Sequence, residues 1–260
     1  MGRLSQPRHV LITGASGGIG AALAHAYAGT AERLSLCARN EARLQSVADA
    51  CRARGTRVDI RPLDVTDVDA LQAWVSSCDA RQPIDLVIAN AGKTLNVGPQ
   101  GEAESWADTK SLLATNIDSA LATVIPLIGP MRQRGHGQIA LVSSLAAYRG
   151  MAITPAYCAS KAALKAYGEA LRGLLGPDGV GVSVICPGFV ESDMSREFPG
   201  KKPFMVSADQ AATIIRKGLM RNRPRISFPF PLNLGTWLLA MLPAAMADFI
   251  LQHISYGRSR

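Results

Sequence analysis

The sequence has few of the residues that build disulfide frameworks, metal centres or nucleic-acid surfaces. Its five cysteines are scattered without a C-x-x-C pair, a pattern typical of reduced thiols. The four histidines are equally dispersed, so no metal site is expected. Aromatic residues make up 5 % of the chain, and no arginine-rich run is interleaved with them. Nucleic-acid binding is therefore not expected.

Long apolar runs and a strong charge content are also missing. Segment 1–9 is short and polar, so no secretory signal is expected, and the scattered thiols favour a cytoplasmic protein. Only 18 % of the 260 residues are charged, while 48 % are hydrophobic and 24 are glycine, which is a globular composition. The net charge of +8 is compatible with binding to an anionic lipid surface or to a phosphate-rich ligand.

Short apolar runs alternate with longer amphipathic stretches up to about residue 228. Apolar strands without strict alternation indicate burial on both faces, and strand–helix alternation indicates a parallel sheet. The pattern predicts an α/β, Rossmann-type, doubly wound and mostly parallel seven-stranded sheet with helices on both faces. The predicted strands are Val10–Thr13, Leu34–Ala38, Val58–Leu63, Leu86–Asn90, Gln138–Ser143, Val180–Ile185 and Arg225–Phe228. The predicted helices are Gly18–Ala28, Glu41–Arg54, Val68–Cys78, Ser105–Gln133, Pro155–Gly173 and Ala208–Arg221.

Residues 1–228 are expected to form one dinucleotide-binding and catalytic domain, followed by an apolar extension at 229–260. A glycine-rich turn, Gly14-x-x-x-Gly18-x-Gly20, follows the first predicted strand and precedes a helix. Glycines allow the sharp turn and the close approach of a pyrophosphate, and the helix N-terminus presents free N–H groups to it. The position of the turn after the first strand favours dinucleotide binding over a turn without a ligand.

The end of the second predicted strand has an arginine and no acid. A site that selects NAD uses an Asp or Glu there for the ribose 2′-hydroxyl, whereas an arginine suits a 2′-phosphate. Arg39 and Ser16 can converge on that phosphate, so the expected cofactor is NADP(H). Arg43 can assist them or can lie in solvent.

A tyrosine and a lysine lie four residues apart on the helix predicted to begin at Thr154-Pro155. Tyr157 and Lys161 therefore project from one face. A nearby ammonium favours the phenolate and lowers the cost of moving its proton. Alone, such a pair usually lies on the protein surface without a catalytic role. Together with the glycine turn upstream, it predicts a nicotinamide-dependent oxidoreductase.

The chain resembles the short-chain dehydrogenase/reductase family over nearly the whole of residues 8–228. The motifs occur in the family's order and spacing, which makes the match specific. They are the T-G-x-x-x-G-x-G turn from Thr13 to Gly20, Asp64-Val65, Asn90-Ala91-Gly92, Thr115-Asn116-Ile117, Ser144 thirteen residues before Tyr157, Tyr157-x-x-x-Lys161 and Pro187-Gly188.

The resemblance implies a role for each motif residue. Tyr157 would exchange a proton with the carbonyl oxygen, and Lys161 would lower the phenol pKa and hold the nicotinamide ribose. Ser144 would donate a hydrogen bond to the substrate oxygen, although Ser143 competes for this role. Asn116 would anchor a water that links Lys161 to solvent. The expected cofactor-binding residues are Gly14, Ser16, Gly18, Ile19, Gly20, Arg39, Asp64, Val65, Asn90, Ala91, Gly92, Tyr157, Lys161, Pro187, Gly188, Val190 and Ser192.

Two positions depart from the family pattern. Ser192 replaces the threonine that often contacts the nicotinamide carboxamide, and Ser119 replaces a frequent glycine. Cys158 is interpreted as a small packed thiol rather than a redox switch.

Residues 193–206 are predicted to form a mobile lid. Lys201 and Lys202 on it either lie in solvent or meet an acidic substrate headgroup or a CoA phosphate.

The C-terminal segment is unusually apolar. Between Ile226 and Ile254 the only formally charged residue is Asp248, and Trp237–Leu242 is continuously apolar. Pro243 interrupts the run, so no spanning helix is expected. One interpretation is a helix docked on the domain or in a subunit interface, and the other is a peripheral contact with anionic lipid. The flanking cations are Lys217, Arg221, Arg223, Arg225, Arg258 and Arg260.

Together these features predict an NADPH-dependent carbonyl reductase or secondary alcohol dehydrogenase. The substrate is expected to be a hydrophobic, lipid-like or acyl ketone, because some relatives with apolar tails reduce such carbonyls. The resemblance also implies a homodimer or homotetramer. The alternatives are a non-catalytic NADP(H)-binding redox sensor and a membrane-surface interaction protein.

Overall fold

The computed structural model describes residues 6–98, 101–198 and 201–253. They contain one seven-stranded sheet in the order β3-β2-β1-β4-β5-β6-β7, and every pairing in it is parallel. The strands are β1 His9–Thr13, β2 Arg33–Ala38, β3 Arg57–Pro62, β4 Leu86–Ala89, β5 Gly137–Val142, β6 Val180–Pro187 and β7 Arg225–Phe228. The helices are α1 Gly18–Tyr27, α2 Glu41–Arg52, α3 Val68–Arg81, α4 Trp106–Leu113, α5 Ser119–Arg134, α6 Pro155–Leu175, α7 Asp193–Glu197, α8 Ala208–Met220, α9 Leu232–Met241 and α10 Ala244–His253.

The predicted doubly wound sheet is confirmed, and its strands lie within two residues of their expected ends. The chain builds β1, β2 and β3 outward in one direction and then returns to place β4 on the other side of β1. This reversal opens a crevice at the carboxyl ends of β1 and β4, the place where doubly wound proteins bind ligands.

Two apolar cores cover the two faces of the sheet. Leu23 of α1, Leu44 of α2 and Ile215 of α8 are buried in the first core. The second core holds α3, α5 and α6 through residues such as Val124 and Leu164. Each fully buried side chain of this size stabilises the fold by about 1.5–3 kcal/mol relative to an exposed one. The strand ends between the two cores are therefore held rigidly.

The single helix predicted over Ser105–Gln133 is interrupted. A π-helical turn, Ala114–Asp118, separates α4 from α5 and contains Asn116. In this region the Ser119 hydroxyl donates to the Thr115 carbonyl oxygen at 2.6 Å. The π turn inserts one extra residue into the helix, as is frequent at functional sites, and Asn116 is buried there.

The continuous helical stretch Trp106–Arg134 is long and apolar enough to cross a membrane by length and composition alone. Leu112, Val124, Leu127 and Met131 are nevertheless buried inside the protein. Core helices pass the same test of length and composition. We therefore assign this stretch to the core of the domain.

Helix α6 approaches the sheet most closely at Gly168. A Cβ there would lie 2.5 Å from Val184 Cγ2 and 2.9 Å from Leu141 Cδ1. Gly173, near the end of the same helix, has no atom within 4 Å of its Cβ position. One helix thus contains one glycine that packing requires and one that it does not.

We predict that Gly168→Ala and Gly173→Ala change stability in opposite directions. The first should lower the free energy of unfolding by about 1–3 kcal/mol, because the new methyl forces α6 away from β5 and β6. The second should raise it by up to about 1 kcal/mol, because alanine favours the helix over glycine. Urea unfolding of both variants measures the difference, and two stabilising substitutions would contradict the close packing.

Candidate active site

The glycine turn after β1 has a backbone that other residues do not readily adopt. Gly14 has φ +67° and Gly18 has φ +51°. A Cβ on Gly20 would lie 2.2 Å from the Gly14 carbonyl oxygen, and a Cβ on Gly14 would lie 2.8 Å from Ala91 Cα. The glycines therefore let α1 fold tightly back onto the turn and let the turn touch the end of β4.

The turn is fixed to β4 by reciprocal hydrogen bonds. The Thr13 hydroxyl accepts from the backbone N–H groups of Asn90 at 3.1 Å and Ala91 at 3.2 Å. In return, Asn90 Nδ2 donates to the carbonyl oxygens of Thr13 at 3.0 Å and Gly14 at 3.2 Å. The two motifs that sequence analysis singled out thus form one unit at the crevice.

This unit fits the pyrophosphate of a dinucleotide. A Cβ on Gly17, the N-cap residue of α1, would meet no atom within 4 Å, and no side chain of the described residues caps the helix there. The N-terminal N–H groups of a helix attract phosphate. Ile19 follows in α1, partly buried and packed on the first core, and Ser16 lies partly buried on the turn.

A cation lies at the part of the crevice that is expected to hold the adenine end of the cofactor. Arg39 follows directly after β2 and is exposed. Its charge helps to hold the pKa of Asp64 below its usual value, although the backbone hydrogen bond from Thr66 contributes most. Arg39 and Asp64 therefore flank the same part of the groove, and Val65 is buried behind them in the second core.

Arg43 is exposed and forms a surface ion pair. Its Nη1 forms an ion pair at 2.7 Å with Asp193 at the start of α7. The segment before α7 also lies on the glycine turn, because Ser192 Cβ would be 3.2 Å from a Cβ on Gly18. Helix α7 thus bridges the cofactor groove.

The segment expected to form a lid is pinned at its base. Val190 and Val206 form a parallel bridge, and the rings of Phe189 and Phe198 lie 5.0 Å apart. Ser192 begins α7 with a capping box, in which its hydroxyl accepts from Ser195 N at 3.1 Å. Its contact with a carboxamide stays a prediction, as do the roles of Lys201 and Lys202; residues 199–200 lie outside the described part of the chain.

Tyr157 and Lys161 occupy the face of α6 that packs toward β5. Lys161 Nζ lies 5.7 Å from the centre of the Tyr157 ring and donates to the Val142 carbonyl oxygen at 3.0 Å. Tyr157 is hydrogen-bonded to Ser144. The Ser143 hydroxyl donates instead to the Lys161 carbonyl oxygen at 2.7 Å. The geometry therefore places Ser144 at the phenol and Ser143 behind α6.

The predicted lowering of the Tyr157 pKa is wrong in direction, because the pKa of this buried phenol is raised. Desolvation raises the pKa of Tyr157 to about 12, against which the hydrogen bond from Ser144 works. Desolvation also lowers the pKa of Lys161 to about 8, because this residue is only 3 % exposed. The phenol is therefore protonated at neutral pH.

Asn116 connects the π turn between α4 and α5 to the loop after β4. Its Oδ1 accepts from Lys93 N at 2.8 Å, and its Nδ2 donates to the Lys93 carbonyl oxygen and to Ser160 Oγ, both at 3.0 Å. A Cβ on Gly92 would lie 3.2 Å from Asn116 Oδ1 and 3.4 Å from Lys161 Nζ. Gly92 therefore leaves room where the asparagine and the lysine meet. The water that Asn116 is expected to anchor stays a prediction.

Pro187 ends β6, and Gly188 follows it beside Ser144. Ser144 Oγ is 3.5 Å from the Pro187 carbonyl oxygen. A Cβ on Gly188 would lie 3.1 Å from Leu232 Cδ2 and 3.3 Å from Leu145 Cδ1. The start of α9 therefore packs directly against the turn and against the residue after Ser144.

Sequence analysis missed Glu104. Its carboxylate accepts from the first backbone N–H group of α6, that of Ala156, with Oε2 3.0 Å from Ala156 N. Thr154, the expected cap of α6, instead donates its hydroxyl to the Leu95 carbonyl oxygen. No sequence signal links Glu104 to α6, since the two lie far apart in the chain and meet only after folding. Cys158, beside Tyr157, is buried as expected.

Comparison with known proteins identifies the family. The family model described as short chain dehydrogenase matches residues 8–202. An uncharacterized oxidoreductase of Myxococcus xanthus is 36 % identical over 244 residues, which cover 93 % of this chain and 95 % of that protein. The ketoacyl reductase HetN of Nostoc is 35 % identical over 182 residues, 70 % of this chain and 63 % of that protein.

The solved structures contain the same fold. A short-chain dehydrogenase from Sphingobium yanoikuyae in complex with NADPH superposes with a TM-score of 0.80 at 22 % identity, covering 97 % of this chain and 98 % of the other. The family match spans the glycine turn, the Asn90 motif and the four residues Asn116, Ser144, Tyr157 and Lys161. This chain therefore belongs to the short-chain dehydrogenase/reductase family of oxidoreductases.

Proposed function

We propose that this protein is an NADPH-dependent carbonyl reductase that acts on a hydrophobic ketone. The proposal rests mainly on one observation. A protonated phenol on Tyr157 is hydrogen-bonded to Ser144 and lies beside the buried ammonium of Lys161. A redox sensor without catalysis has no need of these three groups together.

Each of the three groups has a separate task in the reduction. When bound, NADPH supplies the hydride to the carbonyl carbon. Tyr157 donates its proton to the carbonyl oxygen, and its raised pKa ensures that the proton is present at neutral pH. Ser144 donates a hydrogen bond to the same oxygen and stabilises the charge that develops there. The positive charge of Lys161 stabilises the phenolate that remains.

The proposed choice of NADPH over NADH depends on Arg39. It is an exposed cation at the end of β2, the position at which NAD-selective sites have an acid. Ser16 on the glycine turn can add a hydroxyl to the same phosphate. The Sphingobium yanoikuyae structure contains NADPH, but at 22 % identity it supports the fold, and the cofactor proposal rests on Arg39.

A hydrophobic substrate is supported by two observations. Leu145 and Leu232 pack together beside Ser144 and make the surroundings of the reacting groups apolar. The relative HetN is named a ketoacyl reductase. NADPH consumption with ketones and 3-ketoacyl thioesters of increasing chain length tests this proposal. Activity should rise with chain length, and activity confined to short polar ketones would contradict it.

We predict that Tyr157→Phe lowers the turnover number by about 10²–10⁴-fold, the usual contribution of a general acid. The phenyl ring fills the same space, so the dissociation constant for NADPH should change little. Stopped-flow turnover and NADPH fluorescence titration measure the two quantities separately. A variant that keeps full turnover would exclude Tyr157 as the proton donor.

We predict that Arg39→Ala weakens NADPH binding by about 10- to 100-fold, because a charge-assisted hydrogen bond contributes about 1.5–3 kcal/mol. Binding of NADH, which lacks the 2′-phosphate, should change little. Arg57→Ala is the matched control, because Arg57 is also exposed but lies at the amino end of the neighbouring strand β3, away from the strand ends that form the crevice. Equal losses for NADPH and NADH would show that Arg39 does not recognise the phosphate.

We predict that kcat/KM for NADPH is level in acid and falls as the pH rises through about 8, the pKa of Lys161. Below that pH the ammonium is charged and stabilises the phenolate; above it the charge is lost. Tyr157 keeps its proton up to about 12, so it does not set this limb. A rate profile that stays flat to about pH 10 would contradict the assignment.

A further inference from the structure

The two C-terminal helices leave an apolar surface uncovered. Thirteen large hydrophobic residues of the described part of the chain are exposed, and eight of them lie between residues 230 and 250. Their concentration in one segment differs from the single exposed apolar residues that are normal on a protein surface. We call these eight residues the C-terminal apolar face: Phe230, Leu234, Trp237, Leu238, Met241, Met246, Phe249 and Ile250.

The helices that form this face are fixed to the domain. Asn233 Nδ2 donates to the Ser227 carbonyl oxygen at 3.1 Å, and α10 buries Ala247 and Leu251. Arg149 forms an ion pair with Asp248 and also donates to the Ala244 carbonyl oxygen. The exposed side chains are therefore presented on an attached surface rather than on a loose tail.

The charges around the C-terminal apolar face are positive or neutralised. Asp248 is the only acid between residues 229 and 253, and Arg149 pairs with it. Arg225 lines one depression together with Phe230, Leu234 and Trp237. Arg225 and Lys165 share the carboxylate of Glu169, which leaves one positive charge in excess. The whole chain has a net charge of +8.

We propose that the C-terminal apolar face docks this protein on the surface of an anionic lipid bilayer. Apolar and aromatic side chains bordered by cations are suited to the boundary between headgroups and acyl chains. Helices α9 and α10 have ten residues each, so each is about 15 Å long and lies in the interface instead of crossing a core of about 30 Å.

Charge favours lipid over a second copy of the chain as the occupant. In a two-fold symmetric dimer the same patch meets itself. Such an interface would bring together two copies of the excess positive charge around Arg225, in two chains that each have a net charge of +8. An anionic membrane instead offers charge of the opposite sign.

Vesicle flotation of the full-length protein tests the proposal. Vesicles of phosphatidylcholine with about a quarter phosphatidylglycerol should bind it, pure phosphatidylcholine vesicles should bind it less, and added salt should weaken binding. Trp237→Ser with Phe249→Ser should lower the partition coefficient at least about tenfold. The matched control is Trp106→Ser with Leu174→Ser, two residues that are 74 % and 60 % exposed outside the face.

Three results would overturn the proposal. The first is that the wild-type protein does not bind anionic vesicles. The second is that the test and control variants lose vesicle binding equally. The third is that the test variant turns a dimer into monomers while the wild type does not bind lipid. Unchanged circular dichroism and NADPH binding verify folding. If the serine variant does not fold, brominated lipids should quench the wild type more than Trp237→Phe, and equal quenching would also overturn the proposal.

Discussion

The proposed chemistry depends on the burial of one ammonium group. Lys161 is 3 % exposed and donates to the Val142 carbonyl oxygen at 3.0 Å. Desolvation lowers its pKa to about 8, so the ammonium loses its charge only slightly above neutral pH. The surrounding elements make this burial possible: Gly92 provides the space after β4, and Ser143 holds the backbone of α6 against β5.

The parallel sheet brings the cofactor groove and the proton donor to one edge. β1 and β4 end together at the switch point, where Thr13 and Asn90 exchange hydrogen bonds. β5 ends one strand further along and is followed by Ser144. Parallel strands all have their carboxyl ends at the same edge of the sheet. The loops that follow these strands therefore lie close together, although they are far apart in the sequence. Helix α7 then spans the groove through the pair of Arg43 and Asp193.

Much of this arrangement could be predicted from the sequence, because it depends on local patterns. Apolar strand runs gave the seven strands, and the glycine turn gave the cofactor crevice. Other features depend on tertiary contacts that leave no local pattern. The π turn around Asn116 and the cap of α6 by Glu104 are of this kind. The pKa of Tyr157 was predicted in the wrong direction, since burial depends on what packs around the hydroxyl.

Transfer of deuterium from NADPH that carries deuterium at both nicotinamide C4 positions tests the central claim most directly. The protein is incubated with the labelled cofactor and a long-chain 3-ketoacyl thioester, and the product is analysed by mass spectrometry. The account predicts one deuterium at the carbinol carbon of each product molecule, and labelled product that forms about 10²–10⁴-fold more slowly with the Tyr157→Phe variant. Tight binding of NADPH without deuterium transfer to any ketone would contradict it.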